Sequence, residues 1–117
     1  MRIIEVIPSL DVGGAERLAA LLSVQLASMG HEVSLISLYD PVQSWILEEL
    51  RAAGIDLHFC GKRPGLDPRM VPRLAALFAR LKPDVVHTHL HTLKYVLPAR
   101  VRRPRAPVAH TVHNLAR

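Results

Sequence analysis

Histidines in two short segments are the residues whose type and spacing best suit chemistry. His87, His89 and His91 alternate with other residues in one run, and His113 lies in a Thr-Val-His-Asn segment near the C-terminal end. Side chains two positions apart on a strand share a face, so His87 and His89 are expected to project from one side of a sheet. His87, the more internal of the two, fits equally well a histidine that hydrogen bonds within the sheet.

A His-x-His-x-His run is also compatible with a transition metal. Metal centres combine histidine with carboxylate or cysteine ligands at recognisable spacings, and no such residue completes a set in this segment. We therefore expect no metal. His113 follows a predicted strand, where its imidazole can exchange a proton or a hydrogen bond with a ligand. Because one histidine specifies no reaction, His113 also fits a core or surface role.

A glycine pair between a predicted strand and a predicted helix is the second candidate. Gly13 and Gly14 lie in the segment Ser-Leu-Asp-Val-Gly-Gly-Ala-Glu-Arg, residues 9–17. Free backbone N–H groups at a helix start favour an anion, and glycine permits a close approach. The spacing matches neither the G-x-G-x-x-G dinucleotide motif nor the G-x-x-x-x-G-K-S/T phosphate loop. A tight turn that requires only glycine conformations explains the pair equally well.

The elements that must position these residues alternate along the chain. Apolar segments rich in valine and isoleucine alternate with longer segments of helical period, which is typical of βαβ units with a parallel sheet. We predict strands at about residues 2–8, 31–38, 55–59, 84–89 and 108–112.

Gly30 is expected to stop the first helix, Asp40 and Pro41 to begin the second, and Pro72 to lie in the first turn of the third. The fourth, residues 91–101, contains Pro98. The predicted fold is a Rossmann-like three-layer α/β/α domain with a mostly parallel sheet.

Composition supports a single folded domain. The chain has 117 residues, of which 50% are hydrophobic and 21% are charged, a balance that favours a buried core over disorder. No apolar run approaches the roughly 20 residues that cross a bilayer, and the N-terminal segment does not resemble a signal peptide. The single cysteine, Cys60, excludes an internal disulfide, lacks an activating partner in the sequence and fits a reducing cytoplasm.

The charge is basic, with a formal net charge of +5 whose excess lies mostly after Gly61. A basic surface is either simply solvated or attracts phosphate, anionic lipid or nucleic acid. Nucleic acid is the least supported partner, because only 4% of the residues are aromatic and the basic residues fall on predicted loops more than along one helix face. We therefore expect no nucleic-acid partner.

Three segments together resemble the N-terminal domain of glycosyltransferase family 4. They are the strand, Gly-Gly-Ala-Glu loop and helix of residues 3–17, the Pro-Asp-Val-Val-His-Thr-His segment of residues 83–89, and Thr-Val-His-Asn at 111–114. Each is short, but they occur in order on a βαβ framework and cover nearly the whole chain. The resemblance implies half of a GT-B enzyme, which transfers a sugar from a nucleotide-sugar donor to a saccharide or lipid-linked acceptor with retention and requires no cofactor.

The resemblance also implies roles for particular residues. Gly13 and Gly14 would lie beside the donor phosphates or the transferred sugar, His113 would be the catalytic-site contact near the reacting sugar, and Glu16, His89 and Asn114 would contact substrate. The donor-binding domain with its paired glutamates has no counterpart in residues 1–117, so we expect this acceptor-side domain to be inactive alone and to require a donor-binding domain or chain.

The expected setting is the cytoplasm, in cell-envelope or polysaccharide biosynthesis, with the basic loops resting on the anionic inner face of a membrane. The alternative is a non-catalytic Rossmann-like module that binds a phosphate-bearing ligand or a partner protein, which fold alone does not exclude.

Overall fold

The computed structural model describes residues 1–10, 14–40, 45–100 and 106–111. In these ranges the elements are β1 (Arg2–Ile7), α1 (Gly14–Ser28), β2 (Glu32–Ser37), α2 (Trp45–Ala52), β3 (Asp56–Phe59), α3 (Met70–Leu81), β4 (Val85–His89), a 3-10 turn (Leu90–Thr92), α4 (Leu93–Ala99) and β5 (Val108–Thr111). None of the helices in these ranges is long and apolar enough to span a bilayer.

The strands form one parallel sheet in the order β3-β2-β1-β4-β5. From β1 the chain runs outward to β2 and β3, and then returns to the other side of β1 for β4 and β5. This reversal creates a switch point between β1 and β4, where loops leave the sheet in opposite directions and open a crevice. The predicted α/β fold with a parallel sheet is confirmed.

Successive side chains along each strand point to opposite faces of the sheet, so the core is divided between these two faces. In β1, Ile4 and Val6 point to a cluster that includes Phe78 of α3 and Val96 of α4. Ile7 points the opposite way, into a cluster with residues of α1 and α2, among them Ala20. A largely apolar strand that is buried on both faces is typical of a parallel sheet between two helical layers.

Helix α3 shows how local sequence and packing agree. Met70, Leu74 and Phe78 recur every four residues and are all buried, so they form the stripe that lies against the sheet. The helix ends at Lys82, which adopts a left-handed conformation with φ +50° and donates its backbone N–H to the carbonyl of Phe78 at 3.0 Å.

The predicted boundaries agree with the structure to within a few residues. Gly30 has φ +94° just after α1, which confirms it as the residue that stops this helix. Pro72 lies in the first turn of α3, and Pro98 lies inside α4, one residue before its end. Pro41, which was expected to begin the second helix, lies outside the described residues.

Candidate functional site

A cleft of about 320 Å³ opens at the carboxyl edge of the sheet. Because all five strands are parallel, the segments that follow them meet at this edge. We call this feature the edge cleft. The described residues that line it are Pro8 after β1, Leu38 and Tyr39 after β2, Lys62, Gly65 and Leu66 after β3, and His91, Lys94 and Tyr95 after β4. The cleft therefore lies at the switch point, where open α/β sheets bind ligands.

Lys62 is held in a fixed position at this edge. Its ammonium donates hydrogen bonds to the Tyr39 hydroxyl at 3.2 Å, to the carbonyl of Arg63 at 3.0 Å and to the carbonyl of Gly65. It also lies 4.8 Å from the centre of the Tyr39 ring and 5.8 Å from the centre of the Tyr95 ring. All of these partners are neutral, so they orient the lysine without compensating its positive charge.

The loop that carries Lys62 is fastened at its far end by Asp67. Its buried carboxylate accepts two hydrogen bonds from the Arg69 guanidinium, at 2.6 and 2.9 Å, and one from the backbone N–H of Arg63 at 2.9 Å. The hydrogen bonds from Arg69 and Arg63 lower the pKa of Asp67 well below its usual range. The backbone N–H of Asp67 donates to the Tyr95 hydroxyl at 3.2 Å, which ties the loop to α4.

The opposite wall of the cleft is formed by the start of α4. Lys94 is exposed, and its ammonium lies 5.4 Å from the centre of the Tyr95 ring. Within the described part of the chain, Lys94 has no hydrogen-bond or ion-pair partner. His91 is also exposed. None of the described residues that line the cleft is an aspartate or a glutamate.

A second polar group lies within the sheet itself. Glu5 sits in the middle of the apolar strand β1 and is fully buried. Its Oε1 accepts hydrogen bonds from His89 Nε2 at 2.7 Å and His87 Nδ1 at 3.0 Å, and the two imidazole rings lie 4.1 Å apart. The other ring nitrogen of His87 lies 2.5 Å from the Thr111 hydroxyl on β5. We call these three ionisable residues the Glu5 cluster.

Burial and hydrogen bonding act in opposite directions on the Glu5 cluster. Burial raises the pKa of Glu5, but the hydrogen bonds from His87 and His89 and the electrostatic interaction with these two residues together outweigh it and lower that pKa. Oε2 of Glu5 is buried and has no hydrogen-bond partner among the described residues. The carboxylate is therefore ionised at neutral pH, and the two histidines are its source of stabilisation.

The Glu5 cluster also supplies the carboxylate that a metal site would need. One donor atom from each of its three residues lies within 4.8 Å of the others, a grouping that could accommodate a metal ion. Hydrogen bonds already account for the arrangement, and the expected absence of a metal remains a prediction. Sequence spacing missed Glu5, because 84 positions separate it from His89. The available signal was an acidic residue inside an otherwise apolar strand.

The predicted site residues have different outcomes. His89 is 2% exposed and is oriented by Glu5, so its side chain belongs to the sheet interior in the described structure, and its contact with substrate remains a prediction.

Gly14 begins α1. Gly13, His113 and Asn114 lie outside the described residues, as does the side chain of Glu16. His87 is more exposed than His89, so the expectation that His87 is the more internal histidine is wrong.

Comparison with known proteins decides the family. Residues 12–117 match the sequence profile described as Glycosyltransferase Family 4. The chain belongs to this family. A search of curated proteins gives no match.

The fold of this family 4 chain also occurs in a solved structure, titled as the crystal structure of a glycosyltransferase from Rickettsia africae ESF-5. The two chains are 21% identical with a TM-score of 0.71, and the similarity covers 97% of this chain and 31% of the other. The family 4 chain thus spans less than a third of the length of that glycosyltransferase. At this identity the likeness shows a shared fold.

Proposed function

We propose that this family 4 chain is the acceptor-side half of a retaining glycosyltransferase of the GT-B type. The single observation that carries the proposal is the edge cleft, which lies at the switch point of a parallel sheet and is lined by segments from four strands. A ligand in such a crevice touches several loops at once, and those loops are held by a rigid scaffold. The cleft therefore suits a saccharide or lipid-linked acceptor.

In this proposal the two halves of the enzyme divide the work. The edge cleft binds and orients the acceptor, and a donor-binding half brings the nucleotide sugar to the opposite side of the reacting hydroxyl. Closure of the two halves excludes water and converts the transfer into a reaction between positioned groups. Gly13, Gly14 and His113 would face the donor and the reacting sugar, while Glu16, His89 and Asn114 would support the acceptor side. No metal or organic cofactor is required.

The buried Glu5 cluster has a positioning role in this proposal. His89 ends β4, and the 3-10 turn that carries His91 follows it directly. The Thr92 hydroxyl donates to the carbonyl of His89 at 3.0 Å and to the carbonyl of Val6 at 3.4 Å, which fastens the turn to β1. Glu5 and Thr92 thus hold the end of β4 in place, and with it the wall of the cleft.

The setting follows from charge and from the proposed acceptor. A lipid-linked acceptor would be met at the cytoplasmic face of a membrane, where anionic headgroups attract basic loops. The protein would then act in cell-envelope or polysaccharide biosynthesis, as a peripheral protein.

Saccharide titration of the ¹⁵N-labelled 117-residue chain tests the acceptor assignment. A panel of neutral and acidic mono- and disaccharides is expected to shift backbone amides of Tyr39, Gly65 and Lys94, because these residues line the edge cleft. Amides of Ala20 and Leu50, in the groove between α1 and α2, serve as internal controls and should not move.

A turnover assay tests the inactivity of the chain alone. We expect no release of nucleotide from UDP- or GDP-sugars by the isolated chain, with or without acceptor. Saccharides that leave all cleft amides unmoved, or turnover by the isolated chain, would contradict the proposal. If phosphate compounds bind and no saccharide binds, the result would instead favour a non-catalytic phosphate-binding module.

A further inference from the structure

We infer that the edge cleft recognises a phosphate group attached to a sugar, so that the ligand it takes is a glycosyl phosphate rather than a neutral saccharide. This inference rests on the proposed acceptor site and goes further. It assigns the chemical class of the ligand and names Lys62 and Lys94 as the residues that recognise its phosphate group. Its basis is two lysine charges that the described residues around the cleft leave uncompensated.

Two arginines outside the cleft, Arg2 and Arg69, form ion pairs with carboxylates, and neither lysine at the cleft does so among the described residues. Arg69 pairs with Asp67 at 2.6 Å, and Arg2 pairs with Glu32 at 3.3 Å. Lys62 has only neutral oxygen partners, and Lys94 has only the Tyr95 ring among the described residues. A neutral ligand would leave both charges without a counter-ion. An anion supplies what the lining lacks.

The number of the charges favours phosphate over a carboxylate. Lys62 and Lys94 lie 5.8 and 5.4 Å from the same ring centre, so their nitrogens are at most about 11 Å apart, the sum of the two distances. Two positive charges match the nearly dianionic phosphate monoester at neutral pH, whose second pKa is about 6. Lysine binds phosphate as a point charge and can contact any of its several equivalent oxygens.

The two lysines contribute in different ways. Lys62 already donates to three oxygens, so it supplies charge and holds Tyr39 in place. The Tyr39 hydroxyl accepts from Lys62 and keeps its own O–H to donate to the ligand. Lys94, with no partner among the described residues, is the direct donor to phosphate.

The rest of the lining suits a sugar ring. Tyr39, Leu66 and Pro8 present apolar surface beside the charges, and Leu66 is 75% exposed. Small-molecule sites are commonly about 300–1,000 Å³ and combine apolar walls with a few polar groups. The cleft, at about 320 Å³, is at the small end of this range and therefore fits one sugar with its phosphate.

Matched ligands and matched variants test the inference on the full chain. Glucose, glucose 1-phosphate, inorganic phosphate and UDP are titrated into the ¹⁵N-labelled protein at low salt. Glucose 1-phosphate is expected to bind at the cleft amides at least about 10-fold more tightly than glucose or phosphate alone, because the charge and the ring are both used. UDP identifies a phosphate that belongs to the donor nucleotide instead.

Lys94→Gln is the decisive variant, because Lys94 is exposed and its loss should leave folding unchanged. It is expected to weaken glucose 1-phosphate about 10-fold without affecting glucose. Arg51→Gln removes an equal charge from an exposed site on α2 and should change neither affinity. Thermal unfolding checks that both variants remain folded.

The possible results separate this inference from the proposed function. Glucose and glucose 1-phosphate binding equally at the cleft, with no effect of Lys94→Gln, would overturn the phosphate assignment and leave the acceptor site standing. Inorganic phosphate binding as tightly as the sugar phosphate would reduce the site to a bare anion site and overturn the inference. A preference for UDP would likewise overturn it, and no binding at the cleft by any ligand would overturn both proposals.

Discussion

Replacing Glu5 with glutamine is the most informative single change, because it keeps the shape of the side chain and removes its charge. The glutamine carbonyl can still accept hydrogen bonds from His87 and His89, which now lie at 3.0 and 2.7 Å from Glu5 Oε1. The amide nitrogen would take the place of Oε2, a buried atom that has no partner among the described residues. The variant thus loses charge-assisted bonding and gains a buried donor that has no acceptor there.

The size of the effect follows from these two contributions. Hydrogen bonds to a charged group contribute about 1.5–3 kcal/mol and neutral ones about 1 kcal/mol, so two weakened bonds cost about 1–4 kcal/mol. A buried donor without an acceptor adds a cost of the same order. We expect a loss of about 3 kcal/mol, a large part of the 5–15 kcal/mol that stabilises a typical domain.

Urea unfolding at pH 7, followed by far-UV circular dichroism, measures this loss. With a slope of about 1–3 kcal/mol per molar urea, the midpoint should fall by at least about 1 M. Glu32→Gln is the matched control, because Glu32 pairs with Arg2 at the surface, where side-chain exposures are 78% and 54%. That change should cost less than about 1 kcal/mol. A Glu5 variant no less stable than the Glu32 variant would refute the assignment of a buried, charged cluster.

The same pair of proteins gives a pH dependence of definite sign. The pKa of Glu5 is lower in the folded protein than its ordinary value of 4.5, so the folded state favours the ionised form. The stability that this shift contributes is complete above about pH 4.5 and is lost as the pH falls through the lower folded-state pKa. The difference between wild type and Glu5→Gln should therefore shrink as the pH falls below about 4.5. A difference that grows below pH 4.5 would contradict the lowered pKa.

Two further predictions concern the backbone and the buried thiol. Lys82→Gly should raise the free energy of unfolding by about 0.5–1 kcal/mol in urea, because Lys82 has φ +50° at the end of α3, and Lys82→Ala should show no such gain. Cys60 is 5% exposed, and burial raises its pKa to about 11, so a thiol reagent at pH 8 should modify it only as the protein unfolds. Immediate, stoichiometric modification of the native protein would show that the thiol is accessible.

The sequence by itself determined the class of fold and most element boundaries. The periodic spacing of apolar residues indicates where strands and helices lie. Glycines and prolines end these elements through the backbone conformation of adjacent residues, as Gly30 does with φ +94° after α1. The family resemblance likewise rested on short contiguous segments. Such signals involve residues close in the chain, so they can be read without knowing which strands pair.

Tertiary structure alone decided which distant side chains meet. Glu5 reaches His87 and His89 because β1 pairs with β4, in a register that places Glu5 opposite His87. Lys62 and Lys94 approach the same Tyr95 ring because the segments after β3 and β4 leave the same edge of the sheet. Strand order and register are set by burial summed over the whole domain, so no local pattern specifies them. The side chains of the edge cleft and of the Glu5 cluster come together only because the whole domain folds, so the sequence does not reveal these sites segment by segment.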